Sequence, residues 1–582
     1  MPSRGRTSLN RIAERRLISF TVGLCVVGGG LPLVVALILS FCSIDSNNSF
    51  SFGSLDGYRA VFAAGRIEEL VKILVRAVTV TAVTMLISVP SAYWLGNMQR
   101  TSIRYIILTL LVTPWLVSDM LRAFGWQLLL SPVGPVSKAW SLLTGLGPLE
   151  GLRYNFSAVI IGLVSAMLPA GVLGVVAALP NRDRTEWLAA TELGRPHHVF
   201  AIFAFGRARP GIVVGVCIVF VLSCFASAEP KYLDGPTQTS IQTVAASLVN
   251  DGVPALLAFG TLLWVFALCS CVVAAAAYGL HAHPRRSVRG PNQPIPPPFS
   301  GSLQAPSNQL LHGIFSRLLD VSARVVPPLA GIASITLCCA PMLTVAAEAF
   351  WQPSPSGGRW TLENFQQLLS SEHLIEAIGN SAVVAGVVAF FATAIAFILS
   401  LAVWNVSLQR WVLVLLAALV ILPGDAYAIS LVQLLKLFGN AQGGWVLVVI
   451  AHVLWAVPFA TGTLMLANRH LSENVLQASL EYSNGPLAVI LRVIGRINIG
   501  RIAGVALLAG TISLNEYIRS SYLGGRLLTI GNEVHGRLAA GLLPHNRGVF
   551  AAELLVFAIS IEAVIVTFAI VQSRQSSGKV KS

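Results

Sequence analysis

The sequence predicts an all-α protein that crosses a membrane about twelve times. Of its 582 residues, 55% are hydrophobic and only 11% are charged, whereas soluble proteins contain about 25% charged residues. Twelve apolar runs approach or exceed the roughly 20 residues that a helix needs to cross a bilayer. Because lipid offers no hydrogen-bond partners to the backbone, runs of this length indicate helices.

The apolar runs form two sets of six. The first set lies near 17–42, 74–97, 104–121, 155–180, 211–228 and 252–280, and the second near 326–349, 378–405, 411–435, 444–468, 502–520 and 550–572. The segment between the sets is rich in Pro, Ser and Gly, which is typical of a flexible or polyproline-like linker. The sequence therefore predicts two tandem halves, residues 1–280 and 325–582, joined by a linker over 281–324.

The charge distribution predicts the orientation of the chain. The formal net charge is +14. If the N-terminus is cytoplasmic, 25 of the 39 lysines and arginines, counted from the sequence, fall in the cytoplasmic tails, linker and loops. Positive charge concentrates on the cytoplasmic side of membrane proteins, so both termini and the linker are expected in the cytoplasm. This distribution explains the basic excess without a nucleic-acid partner, and no nucleic-acid motif is present.

Two cytoplasmic loops, 181–210 and 469–501, contain a matching pattern. In each loop a helix-forming stretch with small residues is broken by a glycine that has a proline next to or near it, which stops one helix and redirects the next. Small residues on a helix surface suit docking against a partner. The residues that form the pattern are Glu186, Ala189, Ala190, Gly194, Gln477, Ala478, Ser479 and Gly485.

Both loops resemble the cytoplasmic loop of ABC importer permeases, the MetI-like family. The family pattern is Glu-Ala-Ala, three residues, Gly and a tail that ends in Leu-Pro. Here Leu188 and Gln477 stand at the Glu, Ser483 stands at the Gly of the second loop, and Gly206 and Arg496 stand at the Pro. In that family the loop forms a coupling helix in a groove of the ATPase. The resemblance implies a complete translocation unit in the inner membrane of a bacterium, with two ATPase copies that bind ATP and magnesium and an extracytoplasmic substrate-binding protein.

Further motifs resemble the permeases of spermidine and putrescine importers. They are Pro90 to Tyr93 (PSAY), Val117 to Trp126 (VSDMLRAFGW), His452 to Pro458 (HVLWAVP) and Ser513 to Tyr517 (SLNEY). These motifs are short and are shared with permeases for iron, thiamine and phosphonates. A polyamine-like cation is the substrate that the resemblance implies first, with ferric iron, thiamine or a phosphonate as alternatives.

Ionisable groups near membrane depth are the candidates for a substrate path, because such groups are costly in lipid and usually face a cavity or a partner. The candidates are Asp119, Arg122, Trp126, Asp425 and Glu516, and Glu229 lies at the outer mouth of the fifth span. Structural alternatives are that Asp119 pairs with Arg122 one turn on and that Asp425 caps a broken helix. Because the positively charged Arg519 lies close to Glu516 in the sequence, an anionic substrate is also an alternative.

Neither catalytic nor metal-ligating residues are predicted. The sequence lacks the GxxxxGK[ST] phosphate loop, so ATP is expected on the partner ATPase. All eight cysteines fall in or beside apolar runs and are expected to act as small hydrophobic residues. A proton-coupled secondary carrier made of two six-helix halves is the alternative of another class, although such a carrier has no need of two docking loops.

Overall fold

The computed structural model describes most of the chain between residues 19 and 558. The described ranges are 19–44, 50–62, 66–177, 199–234, 253–282, 309–352, 358–401, 424–437, 443–468, 494–539 and 547–558, with short gaps inside several of them and a few single residues between 409 and 420. The structural statements below concern these residues.

The described chain is almost entirely helical. In the first predicted half the helices are α1 (Asp56–Phe62), α2 (Arg66–Asn97), α3 (Thr101–Leu116), α4 (Asp119–Leu129), α5 (Pro135–Thr144), α6 (Phe156–Ala177), α7 (Arg209–Phe225), α8 (Ala228–Leu233) and α9 (Val253–Ala282). The following helices are α10 (Gln309–Ala349), α11 (Glu363–Leu369), α12 (Glu372–Ser400), α13 (Gly424–Leu437), α14 (Trp445–Asn468), α15 (Gly495–Ile497), α16 (Ile499–Asn515), α17 (Ile518–Leu523) and α18 (Ile530–Ala539).

Among the described residues, five helices are long and apolar enough to cross a membrane. They are α2, α6, α10, α12 and α14. The pair α3 and α4 would make a sixth, bent by 93°, and α7 and α16 are shorter apolar helices. The all-α membrane fold is therefore confirmed, whereas the number of twelve crossings stays a prediction.

A short hairpin followed by a short helix occurs twice. Strand β1 (Cys42–Ile44) pairs antiparallel with β2 (Phe50–Phe52), and β3 (Trp351–Gln352) pairs with β4 (Arg359–Trp360). Helices α1 and α11 follow these hairpins. Their first backbone N–H groups donate to the hydroxyls of Ser54 (3.0 Å) and Thr361 (3.1 Å), which satisfies donors that lack a partner within the helix. The internal repeat therefore includes these capped helices.

Equivalent helices form the packed centre of each predicted half. Helices α2, α6 and α7 pack together in the first half, and α12, α14 and α16 pack together in the second. Each trio corresponds to the second, fourth and fifth apolar runs of its half. The same arrangement therefore recurs where the apolar pattern repeats.

Helix α10, the first helix of the second predicted half, packs against α2, α3 and α4 of the first half. A Cβ atom at Gly331 would overlap the ring of Trp94, and one at Gly125 would overlap the backbone of Pro341. Glycine permits this close approach between helices. The buried hydroxyls of Ser91 and Ser334 lie 3.0 Å apart across the same contact.

The N-terminal helical segment makes the reciprocal contact with the second half. Cys25 lies in a core cluster formed largely by α12 and α14. The Leu454 side chain packs where a Cβ of Gly28 would lie, and the Tyr427 hydroxyl donates to the Gly28 carbonyl at 3.3 Å. Each half therefore packs its first helix against the other half, which interlocks the two.

Candidate functional site

A cavity of about 350 Å³ lies between the two predicted halves, within the range of about 300–1,000 Å³ that is usual for small-molecule sites. Helices α4, α7 and α8 line it from one half, and α14, α16 and α17 from the other. Its charged lining residues are Asp119, Arg122, Glu229, Glu516 and Arg519, and its aromatic ones are Phe225, Trp455 and Phe459. The cavity is the candidate functional site.

The charged group of the first half forms at the bend between α3 and α4. Ser118 caps α4 by accepting a hydrogen bond from the backbone of Met120 at 3.3 Å. The guanidinium of Arg122 donates to the carbonyls of Pro114 (3.0 Å) and Val117 (3.1 Å). Since the last carbonyls of a helix have no partner within it, Arg122 stabilises the end of α3 and holds the bend.

Arg122 also joins two carboxylates. It forms an ion pair with Asp119 and a second one with Glu229, at 3.4 Å. The side chains of Arg122 and Glu229 are 4% and 3% exposed, whereas that of Asp119 is 56% exposed. Buried charges are tolerated only when they are paired and hydrogen-bonded. Arg122 and Glu229 therefore form the buried base of this group, and Asp119 is its accessible carboxylate.

The charged group of the second half forms where α16 ends and α17 begins. One carboxylate oxygen of Glu516 accepts from the backbone N–H of Arg519 at 3.1 Å, and the other accepts from its guanidinium at 2.7 Å. The guanidinium lies over the ring of Trp455, 4.4 Å from the ring centroid. This arrangement combines an ion pair with a cation–π contact.

A buried histidine fixes the geometry around Glu516. His452 lies 2.9 Å from the Ser513 hydroxyl through Nδ1 and 3.1 Å from the Ser520 hydroxyl through Nε2. Because the Ser520 hydroxyl donates to the Glu516 carbonyl at 2.9 Å, it accepts from His452 Nε2–H, which assigns the tautomer from the network. Two sequence motifs, His452 to Pro458 and Ser513 to Tyr517, therefore meet at the cavity wall.

The carboxylates occupy corresponding places in the two halves. Glu229 and Glu516 each come shortly after the helix formed by the fifth apolar run of their half, α7 and α16. Asp119 is the first residue of α4, and Asp425 is the second residue of α13. The side chain of Asp425 lies outside the described part of the chain, although its neighbour Gly424 lines the cavity. The sequence places Glu229 at the outer mouth of the fifth span, and the structure pairs it with Arg122.

The structure does not bring Trp126 to the cavity. Its indole Nε1–H donates to the Ser165 hydroxyl on α6 at 2.8 Å, and the residue is 5% exposed. Because Trp126 lies one turn beyond Arg122 along α4, it meets α6 and anchors α4 in the first half. In this structure Trp126 packs within the first half, and its place on a substrate path stays a prediction.

The predicted docking residues of both cytoplasmic loops lie outside the described residues. They are Glu186, Ala189, Ala190, Gly194, Gln477, Ala478, Ser479 and Gly485. Their assignment stays a prediction from the sequence.

A second contact between the halves lies beside the cavity. Tyr232 Oη and Lys231 Nζ on α8 lie 2.6 Å and 3.1 Å from Nδ1 and Nε2 of His535 on α18, and Tyr517 stacks on the His535 ring. Lys231 can only donate, so Nε2 accepts and Nδ1–H donates to Tyr232. Burial, followed by the charge of Lys231, lowers the pKa of His535 to about 4. Neutral His535 thus connects α8 and α18, and we call this group the His535 contact.

Comparison with known proteins supports the resemblance noted in the motifs. No protein-family model matches the chain. The spermidine/putrescine transport system permease protein PotB of Escherichia coli K12 is 26% identical over 210 residues, which cover 35% of this chain and 75% of PotB. PotC of Haemophilus influenzae, a permease protein of the same kind of system, is 24% identical over 163 residues, or 28% of this chain and 63% of PotC. The inner membrane ABC transporter permease protein YdcU of E. coli K12 is 24% identical over 196 residues, or 31% of this chain and 62% of YdcU. The predicted resemblance to spermidine-type permeases is therefore confirmed.

The first prediction concerns the stability that Arg122 provides. Arg122→Met leaves buried Glu229 without its partner and two carbonyls unsatisfied, so the free energy of unfolding should fall by about 3–5 kcal/mol. Arg59→Met is the matched control, because Arg59 pairs with Asp56 at the same spacing but with side chains 78% and 64% exposed. The control should lose less than about 1 kcal/mol. Denaturant unfolding of the purified protein in detergent measures both, and equal losses would contradict the role of Arg122.

The second prediction concerns the pH dependence of the His535 contact. Because the pKa of His535 is lowered in the folded protein, the unfolded chain binds a proton first as the pH falls, and stability is lost from about pH 6.5 towards pH 4. Above that window the contribution is fully present. His535→Gln should remove this part of the pH dependence, whereas His373→Gln, at an exposed position, should leave it. The check is the free energy of unfolding of the wild type and both variants, measured between pH 4 and 8. The same pH dependence in all three proteins would contradict the role of the His535 contact.

Proposed function

We propose that the chain is the membrane permease of an ATP-binding-cassette importer and that a polyamine-like cation crosses through the cavity between its halves. The similarity to PotB, PotC and YdcU supports the class of transporter. The single observation that supports the substrate class is the composition of the cavity wall. Among the described residues three carboxylates and two guanidiniums line it, a formal excess of one negative charge.

The arrangement of these charges favours a cation further. The guanidinium of Arg122 is buried beneath Glu229 and Asp119, and that of Arg519 is neutralised by Glu516. Asp119, by contrast, exposes more than half of its side chain. Aromatic faces such as that of Trp455 attract organic cations. An ammonium group entering the cavity would therefore meet an accessible carboxylate and an indole ring.

The proposed importer needs partners on both sides of the membrane. Two copies of a cytoplasmic ATPase would dock on the loops 181–210 and 469–501 and bind ATP and magnesium. An extracytoplasmic binding protein would deliver the substrate to the opposite side. The clustering of basic residues in the predicted cytoplasmic segments supports an orientation in the inner membrane with both termini inside.

The third prediction tests the substrate and the path together. In proteoliposomes that contain the chain, its ATPase and the binding protein, radiolabelled spermidine should be taken up only with ATP. Asp119→Asn should lower this uptake by roughly tenfold, the factor that corresponds to ~1.4 kcal/mol, because it removes the accessible carboxylate. Asp56→Asn, in an exposed pair on α1, is the control and should transport normally.

Two outcomes would contradict this proposal. Uptake that is driven by a proton gradient without the ATPase would assign the chain to the secondary carriers. ATP-dependent uptake of a phosphonate but not of spermidine would agree with an ABC importer but would contradict the assignment of a cation as its substrate.

The fourth prediction concerns the docking loops. Packed interfaces do not accept added bulk without strain of about 1–3 kcal/mol, so Ala190→Arg or Ala478→Arg should abolish uptake and weaken ATPase binding while membrane insertion stays normal. The first loop should be the more sensitive, since it keeps more of the family pattern. Ala190→Ser and Ala478→Ser are matched controls that keep a small residue. Normal uptake with the ATPase still bound in both arginine variants would show that the loops are not docking helices.

A further inference from the structure

The two arginines of the cavity are held in different ways. The guanidinium of Arg122 contacts two backbone carbonyls and two carboxylates. Within the described residues, the guanidinium of Arg519 contacts the Glu516 carboxylate and the Trp455 ring. Both guanidiniums are buried. Arg122 is tied to the backbone framework, whereas in the described part of the chain Arg519 pairs with side chains that could equally bind another cation.

We propose that Glu516 and Trp455 form a binding subsite for one ammonium group of the substrate, and that Arg519 occupies this subsite until the substrate displaces it. The inference rests on the proposed function and names the site at which the cation is recognised. Arg519 is then a resident cation that competes with the substrate.

The chemistry of the two contacts fits an organic ammonium ion. A carboxylate neutralises the charge and accepts its N–H groups, and an indole face attracts the cation. Arginine binds the same pair through a planar guanidinium that can stack on the ring. Because both cations need the same groups, they cannot occupy the subsite together.

Hydrogen bonds that do not involve the Arg519 side chain hold the elements of the subsite in place. The hydrogen bonds of His452 with Ser513 and Ser520 connect α14 to α16 and α17, and Ser520 holds the Glu516 carbonyl. Trp455 lies three residues after His452 on α14. None of these bonds uses the Arg519 side chain, so the Glu516 backbone and the part of α14 that carries Trp455 stay held without it. The Glu516 carboxylate keeps the backbone N–H of Arg519 as a partner.

The cavity is the space into which the buried Arg519 side chain can turn. Both Arg519 and Glu516 line it, with side chains that are 4% and 9% exposed. Gly424 packs beside the guanidinium, which lies 3.4 Å from the position that a Cβ of Gly424 would occupy. Arg519 lies on α17, a helix of six residues, and its long side chain can turn away while the helix stays in place.

The same geometry resolves the question of an anionic substrate. Arg519 would favour an anion only if its charge were available to the cavity. Glu516 neutralises that charge at 2.7 Å, and Trp455 covers the guanidinium face. The arginine therefore screens a cation site and does not create an anion site.

Equilibrium binding of radiolabelled spermidine to the purified permease–ATPase complex in detergent, without the binding protein, tests the inference. Arg519→Gln should tighten binding by roughly tenfold, because a charge-assisted hydrogen bond and a cation–π contact no longer compete. The double variant Arg519→Gln with Glu516→Gln should lose this gain. Arg59→Gln, which removes an exposed arginine on α1, should not tighten binding.

A second variant keeps the test independent of folding defects. Arg519→Lys retains a cation, but its ammonium stacks poorly and lacks the planar fork, so binding should tighten by a smaller factor of about two to three. Trp455→Leu in the Arg519→Gln background should weaken binding again. This dependence on the ring separates a subsite from a general change in cavity charge.

The outcomes distinguish the inference from the proposed function. In a complex that still imports spermidine, two results would contradict the proposed subsite. One is unchanged spermidine binding in both Arg519 variants, and the other is binding that stays tight after Glu516→Gln. Failure of the wild-type complex to import any polyamine would instead overturn the proposed function.

Discussion

The structure depends on one buried guanidinium, that of Arg122, which lies where the chain bends between α3 and α4. A charged side chain within a membrane protein needs partners both for its charge and for its N–H groups. Arg122 meets these needs with the carbonyls at the end of α3, the carboxylate that opens α4 and the carboxylate that opens α8. One side chain therefore connects three helix ends and sets the shape of one cavity wall, which makes the bend between α3 and α4 part of the site.

The second half reaches a similar wall by other contacts. Glu516 follows the helix of the fifth apolar run of its half, as Glu229 does in the first half, but its arginine lies three residues later, on the short helix α17. His452 supplies the cross-links between helices that backbone carbonyls supply around Arg122. The halves thus share a position for the carboxylate and differ in how its counter-charge is held, and this difference makes one arginine structural and the other replaceable.

The interlocking of the halves places both walls around one cavity. Helix α10 packs against α2 and α4, and the N-terminal helical segment packs against α14. Such contacts between residues distant in the chain leave little trace in the sequence, because Gly331 and Gly125 differ from other glycines only through their partners Trp94 and Pro341. The apolar runs predicted the helices themselves, yet they contain no information about which helices touch.

The sequence alone determined the all-α membrane class, the internal repeat with its capped short helices, and the candidates Asp119, Arg122 and Glu516, since composition, period and spacing are local properties. It also indicated the pairing of Asp119 with Arg122, which are one helical turn apart. Only the tertiary structure decided that Trp126 anchors α4 on α6, that Glu229 belongs to the Arg122 group and that Trp455 faces Arg519. The physical reason is that charge pairing and aromatic contacts act over a few ångströms in space, between residues as far apart as 122 and 229, and their partners are set by helix packing and not by order along the chain.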